Sequence, residues 1–182
     1  AVLVLLAAVH GGLALLPDRR LVVVGYSIKA WLGGGMGQYP DLDTGLALVR
    51  TDGSLDPGGF GNGGRLALDL PAAGRSDYAV ATVALEDGRI IVAGTADSNS
   101  GTRFFMVRMT TQGNLDPSFG ERDGFAWAGS ITQPSGFHRT ASGQFVACGT
   151  WLPSSAPEGR IARFDSAGDL VGETSLASAG IE

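Results

Sequence analysis

Several groups of residues have the types and spacing to do chemistry. Asp52 and Asp56 lie four apart around Leu55-Asp-Pro, and the same group returns at Leu115-Asp-Pro. Carboxylates this close are calcium-ligand material, but neither the EF-hand loop nor the glycine-rich nonapeptide accompanies them. Turn chemistry accounts for them better. Asp opens a turn, Pro fixes the next φ, and Phe60 or Phe119 follows where it can plug the seam between two sheets. Arg50, Arg108 and Arg163 invite a reading as a ring of cations around a channel. Their recurrence at what reads as one position of a repeat points instead to structural pairing with turn carboxylates or carbonyls.

The lone cysteine, Cys148, sits inside the apolar stretch Phe145-Val-Ala-Cys-Gly149. A nucleophilic thiol needs a neighbouring base. Neither histidine, His10 nor His138, is tied to it by spacing, so a small buried hydrophobe is expected there. Gly33-Gly-Gly-Met-Gly37 lacks the Gly-Lys-Ser/Thr ending of a phosphate loop and its strand-to-helix setting. No catalytic residue, metal site or cofactor is expected. Binding is the remaining chemistry. Gly25 to Arg50 spans 25 positions, whereas Gly94 to Arg108 and Gly149 to Arg163 each span 14, which reads as an 11-residue insertion. That insertion carries Trp31, Tyr39, Asp41 and Asp43, and the matching loop later in the chain carries Trp151. Aromatics beside carboxylates suit a sugar or a peptide, and Trp31, Tyr39, Asp43 and Trp151 are the candidate ligand-binding residues. The competing role is to cover the ends of the sheets.

The elements that position these residues repeat. Leu46-Ala-Leu-Val-Arg-Thr-Asp-Gly-Ser-Leu-Asp-Pro-Gly-Gly-Phe-Gly61 comes back as Phe104-Phe-Met-Val-Arg108, Gly113 and Leu115-Asp-Pro-Ser-Phe-Gly120. An eroded third copy, Ile161 to Leu170, keeps Arg163 and Gly168 and loses Asp-Pro and Phe-Gly. A second signal alternates with the first: Leu16-Pro-Asp-Arg-Arg-Leu-Val-Val-Val-Gly25, Leu85-Glu-Asp-Gly-Arg-Ile-Ile-Val-Ala-Gly94 and Ala141-Ser-Gly-Gln-Phe-Val-Ala-Cys-Gly149. Gly94 to Gly149 and Gly113 to Gly168 are 55 positions, and Gly53 to Gly113 is 60, a period that marks a propeller or solenoid. Each repeat reads as four short strands, for example 65–70, 79–85, 89–94 and 104–109. Asp87-Gly88 is expected as a two-residue hairpin turn with both centres at positive φ. The runs Leu21–Val24 and Ile90–Ala93 are continuously apolar, as in strands packed on both faces.

In this order the motifs resemble the delta-60 repeat family of bacterial β-propeller proteins, whose repeat runs from a turn through Gly-Arg/Lys-Ile-Val-Val-Ala-Gly to Gly-x-Leu-Asp-x-x-Phe-Gly. The middle copy, 85–120, fits best. The first has Asp18-Arg19 where Asp-Gly is usual, and the third lacks the Phe-Gly segment. The resemblance implies a propeller fold and a bacterial secreted or surface protein, and it implies no activity.

Composition narrows the rest. At 182 residues the chain is long enough for one domain with a real core. Apolar residues at 44% and charged residues at 17% argue against disorder. The net charge of −5, with 13 scattered basic residues of which Lys29 is the only lysine, offers no basic stripe for nucleic acid. The apolar run Ala1–Val9 stops at His10-Gly11-Gly12, too short for a membrane span and without the basic start of a signal peptide, and is expected to be a strand. The expectation is therefore one all-β domain over 1–182, of β-propeller type. It comprises about three four-stranded blades (approximate repeats 1–63, 64–123 and 124–182) and is a segment of a larger propeller. Its function is expected to be a non-catalytic binding or scaffold module for a glycan or protein ligand. A propeller-type hydrolase or lyase acting on a polysaccharide or lactone, and a purely structural spacer in an adhesin-like protein, are the alternatives. Association into an oligomer, or with blades of a longer chain, would close the ring.

Overall fold

In a computed structural model, residues 11–32, 39–70, 76–98, 101–121, 123–152 and 156–176 are described. The expected strand Ala1–Val9 and the Gly33–Gly37 run lie outside them. The described residues form three four-stranded antiparallel sheets and no helix. The first blade is β1 (Leu13–Leu15), β2 (Leu21–Leu32), β3 (Tyr39–Val49) and β4 (Arg65–Leu68). The second is β5 (Asp77–Ala84), β6 (Ile90–Ser98), β7 (Gly101–Met109) and β8 (Phe125–Ala128). The third is β9 (Gln133–Arg139), β10 (Phe145–Trp151), β11 (Glu158–Phe164) and β12 (Leu170–Ser175). Each sheet is a meander in chain order.

The grouping of strands differs from the sequence reading at both repeat boundaries, since Phe125–Ala128, at the head of the expected third repeat, closes the second sheet on β7. Arg65–Leu68 was expected to open the second repeat. It closes the first sheet instead, with Leu66 opposite Leu46 and Thr44 opposite Leu68 on β3. The Gly-rich segment Gly58–Gly64 turns the chain back onto its own sheet; Gly61, Gly63 and Gly64 all take positive φ, and a Cβ at Gly64 would strike the backbone of Asp56.

One turn is used six times, twice per blade. In Leu85–Arg89 the Leu85 amide donates to the Arg89 carbonyl and the Gly88 amide donates to the Leu85 carbonyl. The same pair of bonds closes Leu16–Arg20, Arg50–Ser54, Thr110–Asn114, Thr140–Gln144 and Asp165–Asp169. This is a three-residue loop ending in one left-handed residue, so the expected two-residue turn at Asp87-Gly88 is corrected: Gly88 alone has positive φ, 86°. Asp87 stays in ordinary space because its Oδ1 accepts the Arg89 amide at 3.0 Å.

Strand register also corrects the arginine alignment. Leu48 faces Val22, Arg108 faces Ile91, and Arg163 faces Val146, so Arg108 and Arg163 share a blade position whose first-blade occupant is Leu48. Arg50 belongs to the turn. Gly25 to Leu48 is then 23 positions against 14 from Gly94 to Arg108, and the insertion lengthening β2 and β3 is nine residues rather than eleven. The pairing itself holds where Asp-Pro survives. Asp56 accepts from Arg20 at 2.7 Å and from Arg50 at 3.1 Å. Asp116 accepts from Arg89 at 2.7 Å and from Arg108 at 2.8 Å. The Ser118 hydroxyl, the largest influence, and the two arginines hold the Asp116 carboxyl well below the usual carboxylate range. Blade three has Gln144 for the first arginine and no counterpart of Asp116, and there Arg163 is exposed.

Two apolar cores join the blades. The first packs Val22, Val24, Leu46 and Leu48 against Ile90, Val92, Phe105 and Val107. The second packs Ile91, Ala93, Phe104 and Met106 against Phe145, Ala147, Ala162 and Phe164. The seams are plugged as expected. Phe60 and Phe119 are almost wholly buried, and each lies on the turn glycine of the next blade. A Cβ at Gly113 would meet the Phe60 ring at 3.3 Å, and one at Gly168 would meet the Phe119 ring at 2.6 Å. The following glycine ties the plug down, with the Gly120 amide donating to the Ala167 carbonyl at 2.7 Å and the Gly61 amide to Gln112 at 3.4 Å.

Candidate functional site

Strand direction places the β2–β3, β6–β7 and β10–β11 hairpins at one end of the blades and the six repeated turns at the other. At the hairpin end a cleft of about 900 Å3 lies between the starts of β5 and β9, with Gly25, Tyr26 and Leu42 of the first blade on its other side. Two β-bulges shape it. The pairing of β5 with β6 skips Val80, and that of β9 with β10 skips Ser135; both skipped residues line the cleft. A bulge re-aims side chains without breaking the sheet, which is how two strands packed on their neighbours still face an opening. Gly94 and Gly149 sit opposite the bulges because a Cβ there would strike the backbone of Tyr78 or Gln133.

The walls carry Tyr26, Tyr78 and Phe137 as ring surfaces and Gln133 and Ser135 as hydrogen-bonding groups. Among the described residues Tyr78 is the most open large aromatic, 38% exposed. The Ser135 hydroxyl lies 3.4 Å from the Cys148 carbonyl and 3.9 Å from its thiol. Cys148 is half-buried rather than a core residue, and His138 is exposed on β9 opposite Val146. Among the described residues no carboxylate lines the cleft. The nearest by sequence flank its lining residues: Asp41 and Asp43 stand on either side of Leu42, and Asp77 precedes Tyr78.

Asp43 and Asp77 are the buried members of a three-carboxylate cluster whose third, Asp69, is exposed. Asp77 is 1% exposed and its Oδ1 accepts the Thr44 amide at 2.6 Å, tying the second blade to the first. Burial pushes its carboxyl up to about 6, Asp43 adds to the rise, and the bonds from Thr44 oppose it. Asp43 is also pushed up, by burial above all, with partial relief from Lys29 at 3.6 Å. Lys29 bonds Asp69 at 2.6 Å and is held above its ordinary range by that bond. Carboxylate oxygens of Asp43, Asp69 and Asp77 come within 4.8 Å of one another, the one such grouping among the described residues. Lys29 already supplies positive charge to two of them. The arrangement works as an inter-blade clasp.

The four sequence candidates are divided by the structure. Asp43 joins the clasp beside the cleft. Trp31 and Tyr39 pair at the closed end of the β2–β3 hairpin, opposite Pro40 and Leu32 respectively; their side chains lie outside the described residues. Trp151 ends β10 opposite Glu158 and does not line the cleft. Its ring is covered by the Arg160 guanidinium at 4.7 Å, which in turn bonds Glu158 at 2.7 Å. The cleft residues Tyr26, Tyr78, Gln133 and Phe137 were missed because they sit on strands rather than in the variable loops. The one available signal was Tyr78, a large polar aromatic at the start of an otherwise small apolar strand.

Among the described residues no helix is long and apolar enough to cross a membrane. No curated protein matches the chain. Residues 85–119, the best-formed repeat, match a family described as a domain of unknown function (DUF5122) beta-propeller. With three four-stranded antiparallel sheets around that stretch, the fold is all-β with propeller-type blades, and its middle repeat is similar to a β-propeller repeat family.

Proposed function

We propose that the chain is a non-catalytic binding module of the delta-60 type, from a bacterial secreted or surface protein, and that the cleft between β5 and β9 takes a segment of neutral glycan or peptide. The observation that carries the reading is the cleft itself: about 900 Å3, with aromatic rings from Tyr26, Tyr78 and Phe137, the hydrogen-bonding side chains of Gln133 and Ser135, and no charged group among the described residues of its lining. Rings stack on sugar faces or peptide planes, while Gln133, Ser135 and the bulged backbone offer donors and acceptors. The described lining residues give a charged ligand nothing to pair with. Titration calorimetry of the unmodified chain against panels of neutral oligosaccharides and peptides is the test. Tyr78→Ala is expected to weaken binding about tenfold or more while Trp151→Ala changes little. Loss of binding in Trp151→Ala with Tyr78→Ala unaffected would move the site to the hairpin loops. No binding to either panel by the folded chain would leave the spacer reading.

The hydrolase or lyase reading has one observation in its favour, the Asp77 carboxyl raised to about 6 beside Tyr78. Such a group is a candidate general acid. Its burial and its bond to the Thr44 amide favour the clasp role, since a general acid must reach its substrate. Release of product from a polysaccharide, abolished in Asp77→Asn, would favour the enzyme.

A further inference from the structure

We infer that the outer face of the first blade is a docking surface for one more blade of the same repeat, and that this blade brings its own Phe-Gly plug. The inference rests on the propeller-type fold and is independent of the ligand reading. Cross-strand register sets Leu15, Leu21 and Val49 in one row of that face and Leu13, Val23 and Ala47 in the next. These rows correspond to Ala84–Ile90–Met109 and Thr82–Val92–Val107, the face by which the second blade packs on the first. In the second blade Ile90, Val92, Val107 and Met109 are fully buried; of their first-blade counterparts Leu21, Val23 and Val49 are half-buried and Ala47 is buried, and on β1 Leu13 and Leu15 are 66% and 62% exposed where Thr82 and Ala84 of β5 are half-buried. The face is built to the same plan and lacks a neighbour among the described residues.

The turn next to it carries the same mark. Two of the three equivalent turn glycines, Gly113 and Gly168, are capped by the phenylalanine of the preceding blade. The third, Gly53, has the same left-handed conformation, φ 84°, and nothing within 4 Å of a Cβ placed on it. It is a socket without a plug. A second copy of this chain does not supply one, because Phe60 and Phe119 are buried in their own seams and the third blade has no Phe-Gly. The occupant is therefore a further repeat of the Leu-Asp-Pro-x-Phe-Gly type, joined to the first blade as the first is joined to the second.

The experiment appends a copy of residues 76–128 ahead of the full chain and follows thiol labelling at Val23→Cys in a Cys148→Ser background. Docking slows labelling about tenfold or more, and Phe119→Ala in the appended copy returns it to the rate of the unappended chain. Labelling that stays fast, or an appended unit that stays unfolded, overturns the inference. In the unappended chain, Leu15→Glu leaves the denaturation midpoint unchanged because the face is free; a midpoint lowered as far as by Val22→Glu would show the face already covered and overturn it too. Light scattering showing a closed assembly of the unmodified chain, with Val23→Cys protected, would give the face to a second copy.

Discussion

β2 and β6 begin with nearly the same sequence, Leu21-Val-Val-Val-Gly25 and Ile90-Ile-Val-Ala-Gly94, and end up in different surroundings. All four apolar side chains of the second run are fully buried. In the first, Val22 and Val24 are fully buried while Leu21 and Val23 are half-buried. A continuous apolar run therefore states what a strand is able to bury, and its neighbours decide what it does bury. The middle blade has a sheet on each side and uses both faces; the first blade has a described sheet on one side only.

The largest effect that separates them comes from side-chain truncation at matched positions. Ile90→Ala removes a fully buried side chain from a seam packed on both sides and is expected to cost about 2–5 kcal/mol. Leu21→Ala, at the same position of the first blade, leaves a gap that solvent reaches and is expected to cost about 1 kcal/mol or less. Denaturant midpoints of the two variants measure the difference. Equal losses would break the comparison, since they would mean that both strands are covered to the same degree.

The sequence made the fold legible where local chemistry and burial agree. The six turns were visible in part through their glycines, and the plugs through the Phe-Gly that follows Asp-Pro. The assignment of Arg65–Leu68 failed because strand grouping depends on which edge is free after a glycine-rich reversal, and spacing alone does not show that. Arg50 was misaligned because Arg-Thr-Asp-Gly and Arg-Met-Thr-Thr-Gln-Gly place arginine at different distances from the turn; only register with Val22 and Ile91 separates them. The cleft was invisible for a deeper reason. It is made by skipped residues, Val80 and Ser135, and a bulge depends on the partner strand as much as on its own residues.

A middle-sized effect tests how the two seams differ. The first is clasped by Asp77 on the Thr44 amide; the position matching Asp77 in the third blade is Thr132, whose hydroxyl donates to the Thr150 carbonyl within its own sheet. Asp77 binds its proton more tightly when folded, at about 6 against the ordinary 3.8. Between those values the folded state holds more protons than the unfolded, so this group's contribution to stability falls as pH rises from about 4 to about 6 and stays low above. Asp56 and Asp116, held low, contribute the opposite way: their stabilisation is present above the ordinary carboxylate range and is lost as pH falls through it and below. Asp77→Asn keeps an acceptor for Thr44 and removes the buried charge. It is expected to gain about 1–2 kcal/mol at pH 7 and little at pH 4, read from urea midpoints at the two pH values. A gain of the same size at both would show that the carboxyl is not titrating between them.

The smallest effect lies in the turns, where the first blade departs from the other two at a single residue. Five of the six left-handed positions are glycine; the remaining one is Arg19, with φ 70°, the one non-glycine residue at positive φ among those described. Its side chain is exposed, so a replacement there disturbs no packing. A non-glycine residue in this region costs roughly 1–2 kcal/mol, from which the greater freedom of an unfolded glycine takes back part. Arg19→Gly is thus expected to stabilise by about 0.5–1 kcal/mol, measured by thermal or urea unfolding. The reverse exchange in the middle blade, Gly88→Arg at φ 86°, should cost somewhat more, because a Cβ there also meets the Thr111 methyl at 3.1 Å. If the two exchanges fail to move stability in opposite directions, the turn conformation shared by the blades is not what distinguishes Arg19 from its glycine counterparts.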